Sequence, residues 1–246
     1  MVRLIRKLRS ESGMTLVEMA VVVVLLGIVT AFVLQSVASY ERAATGGIRR
    51  LENLDEARVL MAVMTKDVRT AAKLDASLSP FVPSADPDVA LADDNEVTFY
   101  ANLNMTTSCP KVIHLFVNER RELIEEVTEP AAGSTTPPNC LYDYADPGLT
   151  RTRLVGQYVA NDLNDPDHAI FTYYYDDGSG TLVQFSNQDA PEDLTPLSTS
   201  DALLVQAVGI NLEIRKSTAL PVAVTTLMNR VRLPNVYYNP PPSPSP

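Results

Sequence analysis

The hydrophobic positions of the chain fall into three regimes. From Met14 to Val37 apolar residues are nearly continuous, interrupted only by Thr15, Glu18, Gly27, Thr30, Gln35 and Ser36. These 24 residues make about 36 Å of helix against a hydrocarbon core of about 30 Å, enough for one membrane span. From residue 38 to 75 the pattern becomes amphipathic. Leu60, Val63, Met64, Val68, Ala71 and Ala72 recur at helical spacing, and Arg58, Lys66, Asp67, Arg69 and Lys73 are assigned to the opposite face. No proline occurs before Pro80, so one helix can run through both regimes. Gly46-Gly47 is either a hinge or a pair of tolerated helix glycines.

From residue 76 to 238 the period shortens to two. After a Pro/Asp/Ser-rich loop (77–94), strands are predicted at Glu96–Leu103, Lys111–Asn118, Glu122–Thr128, Arg151–Val159, Ile170–Tyr175, Leu182–Phe185, Leu203–Arg215 and Val222–Leu233. Asp176-Asp177-Gly178-Ser179-Gly180 has hairpin-turn chemistry, and another turn is placed near Pro221. A helix with one apolar face needs a sheet to cover it, so the fold class is α+β, a long helix packed on an antiparallel sheet. Residues 239–246 are a Pro-rich tail expected to be disordered.

Charge sharpens the first regime. Residues 1–13 hold four bases (Arg3, Arg6, Lys7, Arg9) and one acid, a net +3, so a total of −10 leaves −13 for residues 14–246. Basic residues on the N-terminal side only place that end in the cytoplasm and the remainder outside. The acidic body argues against nucleic acid as a partner. Arg215-Lys216 and Arg230/Arg232 are read instead as cations that protect strand edges. The two cysteines, Cys109 and Cys140, can form one disulfide if this part is exported, or stay as two unpaired thiols.

Catalytic motifs are missing from the sequence: it has no P-loop, no Gly-x-Ser-x-Gly and no His-Glu-x-x-His, so no enzyme is predicted. His114 alternates with apolar residues and is expected to be an exposed strand residue. Asp162, Asn164, Asp165 and Asp167 gather hard oxygens in a short loop, a weak Ca²⁺ candidate without the glycine and distal glutamate of an EF-hand; no other cofactor is expected.

One carboxylate, Glu18, lies inside the apolar run. Such a group costs about 2.5–3.5 kcal/mol at the centre of a span and is usually functional. Gly13-Met14-Thr15-Leu16-Val17-Glu18 resembles the class III signal of type IV prepilins and type II secretion pseudopilins, although Met14 stands where that family most often has Phe. The resemblance implies the type IV pilin fold and cleavage after Gly13 by a prepilin peptidase, with Met14 the new, N-methylated first residue. Residues 1–13 would be the leader and 14–37 the anchor and later the filament core. Thr15 and Leu16 complete the motif. Glu18 would pair with the N-terminal amine of a neighbouring subunit. The implied partners are other pilin or pseudopilin subunits, the peptidase, the inner-membrane assembly platform and membrane lipid. Residues 57–72 and the closing segment Asn229–Asn235 further resemble the larger minor subunits, J-like pseudopilins and W-like minor pilins, expected at the tip or as initiators. The rival reading is a signal-anchored extracytoplasmic binding protein or adhesin that never polymerises.

Overall fold

The computed structural model describes residues 15–74, 78–83, 92–102, 109–136, 139–144, 146–185, 196–216 and 224–235. The predicted turn near Pro221 and the Pro-rich tail lie outside them. The chain divides between Ile48 and Arg49 into two units.

Helix α1 spans Leu16–Val68 and is unbroken at Gly46-Gly47. In the first unit its apolar side chains are bare; Leu16 is 86% exposed and Phe32 71%. The segment is long and apolar enough to cross a membrane. Its polar interruptions are absorbed by the helix itself. Thr30 Oγ1 donates to the Leu26 carbonyl at 2.7 Å and Ser36 Oγ to the Phe32 carbonyl at 2.9 Å. Their hydroxyls therefore present no unsatisfied donor to an apolar surrounding.

In the second unit α1 buries Asn53, Ala57, Leu60, Met61, Met64, Asp67 and Val68. The helix ends at Val68 rather than running to 75. Ala71 and Ala72 belong instead to extended backbone, bridging to Ala101 and Asn235, and the Ala72 N–H donates to the Tyr100 carbonyl at 2.8 Å. The strands form two four-stranded antiparallel sheets where one was expected. The first is a meander of β1 (Glu96–Ala101), β2 (Lys111–Val117), β3 (Leu123–Thr128) and β4 (Thr150–Gly156). The second has the order β6-β5-β7-β8, from β5 (Phe171–Asp176), β6 (Leu182–Gln184), β7 (Val205–Ile214) and β8 (Thr225–Arg232). The one-turn helix α2, Thr199–Ala202, precedes β7, where strand was predicted to start at Leu203. The hairpin turn before β6 is as predicted: Gly178 and Gly180 take φ of 88° and 83°, and Asp176 Oδ1 accepts both of their N–H groups. β8 is an edge strand with Arg230 and Arg232 exposed, but the Arg230 guanidinium lies over the sheet face, 3.9 Å from the centre of the Tyr174 ring, rather than guarding the edge.

One core joins the buried face of α1 to Val97, Phe99, Ile113, Leu115 and Leu123 of the first sheet and to Phe171, Tyr173, Val208, Ile210 and Leu212 of the second. The last residue of β4, Gly156, lets α1 approach closely, since a Cβ there would lie 2.1 Å from Leu60 Cδ2. Cys109 and Cys140 are bonded, with Cα atoms 5.7 Å apart across a sequence separation of 31. A closed loop of that size contributes about 3–4 kcal/mol in the chain-entropy description.

Asp67 is where the expected polar face of α1 fails. It is 3% exposed and points inward, and its Oδ2 has no hydrogen-bond partner. Glu125, also buried, stands close enough to repel it and is itself clamped by Arg153, whose Nε donates to Glu125 Oε2 at 2.8 Å. Burial first, then Glu125, pushes the Asp67 carboxyl up to about 6. The folded state therefore holds a proton that the unfolded chain releases near pH 4. Stability fully present below pH 4 is lost as pH rises through about 6. Two pH units correspond to about 2.7 kcal/mol, an upper bound for a carboxyl whose surroundings relax as it ionises, and about half of it is taken here. Asp67→Asn should thus be about 1–2 kcal/mol more stable than the native chain at pH 7.5 and nearly equal to it at pH 4, measured by urea unfolding at both values.

Candidate processing and assembly site

The head of α1 is closed by a reciprocal pair. Thr15 is the residue before the helix, and its Oγ1 accepts the Glu18 N–H at 3.3 Å. Glu18 Oε2 in return accepts the Thr15 N–H at 2.9 Å and the Thr15 hydroxyl at 3.1 Å. This is a capping box, Thr-x-x-Glu, which satisfies two of the four N–H groups that a helix start leaves orphaned. The carboxylate also sits at the positive end of the helix dipole. Spacing signals this second role of Thr15 and Glu18, since Thr-x-x-Glu at the start of an apolar run is the capping-box pattern of a helix N-terminus. Gly13 and Met14 lie outside the described residues. A cut between them would leave the Met14–Thr15 amide in place, so the box survives it.

The other candidate residues separate from this site. The acidic loop builds turns: Asp162 Oδ1 accepts the Asn164 N–H at 3.1 Å, and Asp165 Oδ1 accepts the Asp167 N–H at 3.0 Å at the start of the 3₁₀ turn Pro166–His168. Asn164 and Asp167 are exposed. Among the described residues no three His, Cys, Asp or Glu side chains gather as a metal site would require. The ordering residue there is Asn161, which is fully buried. Its Nδ2 donates to the carbonyls of His168 and Asn211, and its Oδ1 accepts the Glu213 N–H. His168 Nδ1 lies 2.8 Å from Glu213 Oε1, and that hydrogen bond holds the imidazole above its usual range. His114 is half-buried rather than exposed, stacked on Phe116 at 4.5 Å between two carboxylates.

Compared with known proteins, residues 8–34 match the family model of the prokaryotic N-terminal methylation motif. Neither the curated proteins nor the solved structures searched contain a significant match to the chain. The matched span includes Thr15 to Glu18 and most of the bare apolar helix. That motif, the exposed N-terminal helix and a domain of helix on antiparallel sheet together support placing this chain in the type IV prepilin and pseudopilin family.

Proposed function

We propose that the chain is the precursor of a minor type IV pilin or J-like pseudopilin. A prepilin peptidase removes residues 1–13 on the cytoplasmic face and methylates Met14. Residues 14–37 wait in the inner membrane with the sheet domain outside. The assembly platform then draws the helix into a filament, where Glu18 meets the N-terminal amine of a neighbouring subunit. The observation that carries this reading is a methylation motif at the head of a helix whose apolar side chains have no cover within its own unit. A bare helix of that kind needs lipid first and other helices later. A large acidic domain repels its own copies along a thin fibre, which favours sparse placement at the tip or as an initiator.

Co-expression with a prepilin peptidase is the test. Mass spectrometry should find the chain shortened by 13 residues, with a methylated N-terminus at Met14. An uncut N-terminus would return the protein to the class of signal-anchored proteins, and one near Tyr40, as a signal peptidase would leave, would make it a released protein without its apolar helix; either result overturns the reading.

A further inference from the structure

Strand β8 closes one side of the second sheet, and its own outer edge is open. The Leu233 N–H donates to the Gln206 carbonyl at 2.9 Å. By alternation the backbone groups of Thr225, Leu227, Asn229 and Val231 then turn to β7, and those of Thr226, Met228 and Arg230 turn away from it. These last three residues are exposed, and among the described residues nothing pairs with their outward N–H and C=O groups. Edges of this length are usually blunted by a proline, a bulge or a charge turned onto the edge. Between Thr225 and Arg230 β8 has none of these. It is without proline, its register on β7 is unbroken, and the Arg230 guanidinium is occupied with the Tyr174 ring. β4, the other long edge, does break register where it meets Leu123 and Ile124.

The open edge runs beside a row of cations. α1 lies against the inner side of β8, where Asn229 Nδ2 donates to Thr65 Oγ1 at 2.9 Å. A groove of about 580 Å³ between them has Met61, Ala62 and Leu227 in its floor and Arg58, Lys66 and Arg69 along its rim. Arg58 meets Asp55 at 3.9 Å with both side chains exposed, and among the described residues neither Lys66 nor Arg69 has an ion-pair partner. In a body totalling −13, such a row draws acidic groups. A strand laid on the edge would alternate its side chains. Those level with Leu227 and Asn229 would turn to the α1 cations, and those level with Met228, itself 76% exposed, to the outer face. We propose that the β8 edge takes up an extended acidic segment of a partner polypeptide as an added strand. The backbone groups of Thr226, Met228 and Arg230 complete the ladder, and Arg58, Lys66 and Arg69 select the acidic side chains. This surface lies wholly within the sheet domain, so it stands apart from filament assembly.

Amide hydrogen exchange, read by NMR on the full-length protein in a non-ionic detergent, follows the edge residue by residue. The probes are a capped peptide alternating glutamate and valine, its lysine–valine counterpart, and a glutamate peptide with proline in place of valine. At saturation the glutamate–valine peptide should slow exchange of the Thr226, Met228 and Arg230 amides about tenfold or more, and the other two should leave it unchanged. Met228→Pro removes an outward N–H and no bond to β7, so it should abolish the protection while the Leu227 and Asn229 amides stay slow. Lys66→Glu combined with Arg69→Glu, both on the exposed side of α1, should weaken the glutamate–valine peptide about tenfold. Exchange unchanged by that peptide, or slowed equally by the lysine–valine or the proline peptide, would overturn the proposal. So would protection that grows with protein concentration before any peptide is added, which would give the edge to a second copy of the chain.

Discussion

Glu18→Ala and Glu18→Gln should both be processed like the native precursor, and neither should assemble. The pair is informative because Glu18 has two duties that a single alanine substitution would confound. In the isolated chain the side chain closes the capping box with Thr15. Alanine removes both the cap and the charge, whereas glutamine can keep the box, since Glu and Gln serve equally at that position. The energies also differ. A lost cap costs about 1 kcal/mol, less than tenfold in an equilibrium. Leaving a buried amine without its carboxylate costs about 3–5 kcal/mol, two to four decades. The proposed contact between subunits therefore dominates, and glutamine should fail nearly as completely as alanine. Processing read by mass spectrometry and filaments counted by electron microscopy after shearing separate the two steps. Filaments from Glu18→Gln at the native level would mean that the carboxylate is a helix cap and that the amine-pairing role is wrong.

What could be read from the sequence depended on how local the determining physics is. The apolar run, the strand centres and the Asp176–Gly180 turn follow from short-range periodicity and turn chemistry, and they appear in the structure close to where alternation placed them. The split into two sheets does not follow, because alternation says which side chains share a face and is silent on which hairpins pair. Asp67 was misplaced for a related reason. Helical spacing assigns a charged residue to the solvent face by default, and only the packed sheet shows it buried near Glu125. His114 likewise became a paired residue only once register set Glu126 opposite it and Glu96 within reach. At the head of the chain the opposite held: all of the residues involved lie within one helical turn, so the motif and its cap were both spelled out in sequence.

Phe81 is the sharpest case of a residue whose role came only from tertiary structure, and its replacement should be among the most damaging in the domain. It sits between Pro80 and Pro83 in a stretch read as loop, with no periodicity to mark it. In the structure this stretch extends the first sheet past β1. The Val82 N–H donates to the Thr98 carbonyl and the Tyr100 N–H to the Pro80 carbonyl, both at 2.9 Å. Prolines are tolerated there because the strap is an edge, where an absent N–H breaks no ladder on its outer side. Phe81 bridges to Phe99 and is 2% exposed, and its ring meets Tyr173 of the second sheet edge-on at 5.6 Å. It thus joins core residues from both sheets, and Tyr173 is held in turn through its hydroxyl to the Asp93 carbonyl at 2.8 Å. Phe81→Ala should cost about 3–5 kcal/mol, the lost burial plus the cavity left behind. Leu78→Ala, three residues earlier and 41% exposed, should change stability by no more than about 0.5 kcal/mol. Urea unfolding of both variants in the same detergent measures the difference as a shift of midpoint at unchanged slope. A Phe81→Ala midpoint as close to the native one as that of Leu78→Ala would mean that this strap lies outside the cooperative core.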